Sequence, residues 1–221
     1  TGAGISAGVA SNYNNTRTFS YRTTLGALNG NYSEVGVGWA SGSMFSRALI
    51  LDGGGSPTTI TVTSAEQLDI VYQLSVYPPL IDTGPTTFTI SGIDYDVTGR
   101  AANVTAISGN INWSVSASTI TGSTAVAARN LYTGTLGAIT ALPSGTPSDS
   151  GTWVMSSYAN NSYTREGYVQ YTITQGNISG GAKSSVATWT IGAFQYEFDP
   201  VIPKDGTKTL ALNYSVTWAR R

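Results

Sequence analysis

Residues 16–218 alternate apolar and polar side chains in short runs, and nowhere sustain the 3.6-residue apolar stripe of an amphipathic helix. Thr18, Ser20 and Arg22 alternate with Phe19 and Tyr21, and Val35, Val37 and Trp39 alternate with Glu34, Gly36 and Gly38. A period of two puts successive side chains on opposite faces of a strand, one for a core and one for solvent or a partner. The runs stop at strong punctuation. Residues 45–51 end at Asp52-Gly53-Gly54-Gly55-Ser56-Pro57, a turn signal. Residues 67–77 end at Pro78-Pro79, which cannot donate to a sheet ladder.

Further strands are expected over residues 58–63, 86–97, 111–117, 153–159, 168–174, 186–198 and 208–218. One short helical turn is expected at 125–131. The total of about ten to twelve strands, with no alternating helices, predicts an all-β chain, an antiparallel β-sandwich or jelly roll. Residues 1–15 read as a flexible lead-in. Residues 16–221 read as the β-sandwich domain, with a seam near the Pro- and Gly-rich segment 142–151.

Composition narrows the function. Of 221 residues 40% are hydrophobic and only 10% charged, with a formal net charge of −1. That balance argues against disorder, which pairs low hydrophobicity with high net charge. Three lysines give no electrostatic footprint for nucleic acid. There is no histidine and no cysteine, so the commonest general base, the thiol nucleophile and disulfides are all missing. No apolar run reaches the roughly 18–20 residues of a membrane helix.

The remaining chemical signals have ordinary readings. Asp94 with Asp96, and Glu197 with Asp199, share strand faces at a spacing that glycosidase carboxylates could use. Such pairs are also what solvated or cation-paired strand faces carry, and that reading is preferred. Lys183, Lys204 and Lys208 lack a Ser-x-x-Lys spacing, and Gly53-Gly54-Gly55 lacks the ending of a phosphate loop. The chain is therefore read as a non-enzyme with no catalytic, cofactor or metal residues. Trp39, Trp113, Trp153, Trp189 and Trp218 are assigned to core or subunit-interface packing. The exception is Tyr158-Ala159-Asn160-Asn161-Ser162-Tyr163, whose composition suits a recognition loop carried by Tyr158, Asn160, Asn161 and Tyr163.

Two stretches carry a resemblance. The first is Ser33-Glu34-Val35-Gly36-Val37-Gly38-Trp39, through Met44-Phe45-Ser46-Arg47-Ala48-Leu49-Ile50, Ile60-Thr61-Val62 and Glu66-Gln67-Leu68-Asp69-Ile70-Val71-Tyr72 to Val76-Tyr77-Pro78-Pro79-Leu80. The second is Phe198-Asp199-Pro200-Val201-Ile202-Pro203-Lys204-Asp205, then Lys208-Thr209-Leu210-Ala211-Leu212 and Val216-Thr217-Trp218-Ala219-Arg220. Together they resemble a family of tailed-bacteriophage virion proteins of tail or tail-fibre type.

The resemblance implies a non-enzymatic structural component on the particle exterior, an oligomeric tail or neck fibre. Its expected partners are copies of itself, with a trimer favoured, and other virion proteins. Alternatives are a capsid decoration protein and a carbohydrate-binding, adhesin-like module for host-surface glycan. An outer-membrane barrel fits the uneven strand spacing poorly, so no membrane insertion is expected. The two resembling stretches are expected to form the scaffold, and residues 100–185 the exposed, partner-facing surface.

Overall fold

The computed structural model describes residues 3–6, 14–40, 43–102, 129–139, 141–157, 159, 162–189 and 192–219. All regular elements among them are strands: β1 Ala3–Ser6, β2 Asn14–Arg22, β3 Gly30–Tyr32, β4 Glu34–Ala40, β5 Ser43–Leu49, β6 Ile60–Val62, β7 Asp69–Val76, β8 Thr83–Ile90, β9 Ile93–Ala101, β10 Leu131–Tyr132, β11 Thr152–Met155, β12 Thr164–Tyr171, β13 Ala182–Trp189, β14 Gly192–Ile202 and β15 Leu210–Thr217. Every pairing between them is antiparallel. The expected all-β class is the one the chain adopts.

Two sheets enclose the main core. One has five strands in the order β10-β13-β14-β9-β8, the other three in the order β11-β12-β15. Trp153, Val169 and Leu212 lie in register across the three-stranded sheet and are all buried. With Tyr171, Leu210 and Val216 they form one cluster with Tyr95, Leu131, Ala182, Phe198 and Ile202. Aromatic contacts cross and line this core: Tyr196 meets Tyr214 at 5.0 Å between ring centroids, and Phe88 meets Phe198 edge-on at 6.3 Å. Full burial of a side chain such as Phe198 contributes about 1.5–3 kcal/mol.

The opposite face of the five-stranded sheet is met by the first part of the β10–β11 connection, residues 133–139 and 141–142. Gln195, fully buried, receives the Gly137 N–H at 2.8 Å and donates to the carbonyls of Ala101, Ala138 and Ala141. Glu197 receives the Leu136 N–H at 2.9 Å, and Ser184 Oγ donates to the Gly134 carbonyl at 2.6 Å. Gln195 and Ser184 occupy buried strand positions, and Glu197 a half-buried one, because they satisfy the main chain of a loop that forms no ladder of its own.

The strands before residue 80 are built differently. They form the three-stranded sheet β1-β2-β7 and the pairs β3-β6 and β4-β5. Among the residues of segment 20–80 whose burial is described, only Val62 and Pro78 are buried. Local polar locks shape this region. Arg22 grips Asp69 through two hydrogen bonds of 2.7 and 2.6 Å, and Asp52 Oδ1 receives the N–H groups of Gly54 and Ser56, the turn expected there. Leu25, Leu49, Leu51, Val71 and Tyr77 remain exposed, Val71 at 69%.

Several expectations shift. Residues 86–97 are two strands, turning at Ser91 and Gly92, whose φ angles of 49° and 81° suit the tight hairpin turn. Residues 186–198 likewise divide between β13 and β14. Within the lead-in, Ala3 to Ser6 pair with Arg17 to Asn14. Leu131, assigned to a helical turn, opens β10; residues 111–117 and 125–128 lie outside the described residues, as do all of Trp113 and the side chains of Trp39 and Trp189. The expected division of labour is also corrected. Leu131, Trp153, Val169, Tyr171 and Ala182 of the middle segment supply much of the main core: β11 and β12 belong to one of its two sheets, and β10 and β13 lie in the other beside β14.

Phe198→Ala is expected to cost about 3–5 kcal/mol in urea denaturation. Ile173→Ala, at an exposed position, is expected to change stability by no more than about 0.5 kcal/mol. Equal losses at the two positions would contradict this placement of the core.

Candidate functional site

The segment expected to be a recognition loop lies between β11 and β12. Its described part is anchored: the Ser162 N–H donates to the Ala159 carbonyl at 3.0 Å, and the Trp218 N–H donates to the Tyr163 carbonyl at 2.9 Å. Ser162 Oγ receives the Thr164 N–H at 3.0 Å, closing a local turn at the start of β12. The Tyr163 ring is 57% exposed on this fixed main chain. A rigid, amphipathic ring presented this way can stack on a flat apolar surface and hydrogen-bond through its hydroxyl. Tyr158, Asn160 and Asn161 lie outside the described residues.

The paired carboxylates have local partners. Asp94 and Asp96 accept from Thr89 and Thr87 Oγ1 across the β8–β9 hairpin, each at 2.6 Å. Glu197 and Asp199 flank Lys183 Nζ at 3.4 and 3.5 Å. These are cross-strand stabilising pairs. Among the described residues no group of three or more His, Cys, Asp or Glu side chains is placed to hold a metal ion.

A second polar cluster was not signalled by the sequence. It lies where the β12–β13 connection meets the β14–β15 connection. Lys204 is buried, at 1% exposure, and Nζ donates to Asn177 Oδ1 at 2.6 Å and to the Asp205 carbonyl at 3.0 Å. Asn177 Nδ2 donates to the Ile173 carbonyl at 2.8 Å, and the Ile178 N–H donates to the Lys204 carbonyl at 3.3 Å. Asp149 Oδ1 receives the Gly176 N–H at 2.7 Å.

Gly176 has φ of 67°, and a Cβ there would lie 2.5 Å from the Tyr171 ring. Only glycine serves both the left-handed conformation and the close ring. Burial lowers the pKa of Lys204, while Asp205 and Asp149 act in the opposite direction. The Asp205 carboxyl is held well below its ordinary range by hydrogen bonds from Lys208 first, and then from Thr207. Nothing in the sequence spacing joins Asn177 to Lys204, because their meeting depends on the stacking of two sheets.

No protein-family model, no curated protein and no solved structure matches the chain.

Two outcomes follow from this geometry. Gly176→Ala is expected to destabilise the fold by more than about 1 kcal/mol, read as a lower urea midpoint with unchanged slope. Asp205 has a depressed folded-state pKa, so its contribution is complete above the ordinary carboxylate range and fades as pH falls below it. The gap in melting temperature between wild type and Asp205→Asn is therefore expected to narrow on acidification. A gap independent of pH would contradict the assignment.

Proposed function

We propose that this chain is a non-enzymatic structural subunit of a tailed-phage virion, an oligomeric tail or neck appendage on the particle exterior. The observation that carries the reading is the contrast between the two parts of the fold. Strands β9 to β15 close on a core of their own, whereas the strands before residue 80 leave Leu25, Leu49, Leu51, Val71 and Tyr77 in solvent. Small sheets without a covered apolar face are marginal in water. Exposed apolar side chains on low-charge sheets call for a covering partner.

Copies of the same chain are the simplest cover, and a trimer is the favoured assembly. A formal net charge of −1 leaves little repulsion between copies. The exposed strands coincide with the first stretch resembling tail-type virion proteins, which supports reading that stretch as the assembly region. The engagement of Asp94, Asp96, Glu197 and Asp199 with Thr and Lys partners supports the non-enzymatic reading. Tyr163, exposed on an anchored loop end, supports a second reading as a host-glycan contact.

Sedimentation equilibrium of the isolated chain is expected to give a trimer, and proteomics of purified particles of the encoding phage to find the chain in stoichiometric amount. A stable monomer at micromolar concentration together with absence from the particle would overturn the proposal.

A further inference from the structure

The amine of Lys204 and the side-chain amide of Asn177 are held in contact inside a protein that has no cysteine for a covalent staple. With Nζ 2.6 Å from Oδ1, and a C=O bond of about 1.23 Å, Nζ lies no more than about 3.8 Å from Asn177 Cγ. That approaches the roughly 3–3.5 Å separation of a reactive pair. The amide is oriented for it: Nδ2 is drawn toward the Ile173 carbonyl, which leaves the carbonyl end facing the amine. The main-chain bond from Ile178 to Lys204 holds the two segments at fixed distance, so a small rotation about the Asn177 side chain presents Cγ to Nζ.

We propose that Lys204 and Asn177 form an intramolecular isopeptide bond. The neutral amine attacks Cγ, the Nζ–Cγ bond forms, and the Cγ–Nδ2 bond breaks. One proton from Nζ passes to the departing nitrogen, which leaves as ammonia; no oxidant, reductant or other reactant is consumed. Burial favours the neutral amine, and both of its hydrogen-bond acceptors are uncharged oxygens. Asp149, whose Oδ1 receives the N–H of Gly176, the residue before Asn177, is the carboxylate assigned to relay the proton. Asn177 is exposed, so ammonia departs directly into solvent.

The position gives the bond a mechanical meaning. The β12–β13 connection runs from the three-stranded sheet to the five-stranded one, and the β14–β15 connection runs back. A bond between Asn177 and Lys204 ties these two crossings together and closes that end of the layered core. A subunit that bears load in an assembly gains a staple independent of redox conditions.

Intact-mass spectrometry of the full chain tests this. Wild type is expected to weigh about 17 Da less than its sequence, the mass of ammonia, whereas Lys204→Arg carries its full mass. Proteolysis is expected to yield one branched peptide containing both Asn177 and Lys204, with no tryptic cleavage after Lys204. A wild-type chain at full mass overturns the proposal. So does a deficit mapped elsewhere, such as a succinimide at Asn29-Gly30.

Discussion

The contact on which the rest of this structure depends is the apolar seam between the sheet β11-β12-β15 and strands β9 and β14. Trp153, Val169 and Leu212 form one row of it, and Tyr95, Tyr196 and Phe198 face them from the other side. A slip of one residue in any of these strands would send its whole buried set to solvent, so the seam also fixes register. Everything polar that lies deep is arranged around it. Gln195 and Glu197 can occupy strand positions because alternation turns them away from the seam, onto the main chain of Leu136, Gly137, Ala138 and Ala141. Lys204 meets Asn177 because the two connections that cross between the sheets leave the same end of the core.

Before residue 80 the chain keeps the ladders, while the side chains whose burial is described are, Val62 and Pro78 apart, exposed or half-buried. Its strands are paired residue by residue, as in Phe19 with Tyr72 and Tyr21 with Ile70. Yet hydrogen bonds that replace equivalent bonds to water contribute only about 0.5–1.5 kcal/mol each. Where the described side chains stay exposed, that is little against a backbone ordering cost of about 1–2 kcal/mol per residue. The Arg22–Asp69 pair is solvent-exposed and adds at most about 1 kcal/mol. The exposure of Leu25, Leu49, Leu51, Val71 and Tyr77 in this region is what motivates the proposal of assembly.

Much of the strand pattern was legible because alternation is local. The turn at Asp52 was legible for the same reason: its side chain caps residues two and four positions on. The hairpin at Ser91-Gly92 was hidden because Ile90, Ile93 and Tyr95 continue the appearance of a single strand across it. Which runs make the core was not legible at all. Val71 and Val169 stand in similar alternating runs, yet one is 69% exposed and the other fully buried. The difference lies in what each sheet faces, a long-range property with no signature in spacing. The Lys204 cluster was missed for that reason, whereas the exposure of Tyr163 follows from a polar loop that sequence composition does mark.

Hydrogen exchange followed by mass spectrometry at two protein concentrations separates burial within one chain from burial between copies. Peptides from β9 and β12 to β15 should be strongly protected at every concentration, since their burial is internal to the chain. Peptides from β2 to β7 should exchange quickly in the dilute chain and gain protection as copies associate. Strong protection of β2 to β7 in a dilute monomer, equal to that of β12 and β15, would show instead that this region is stable without a partner.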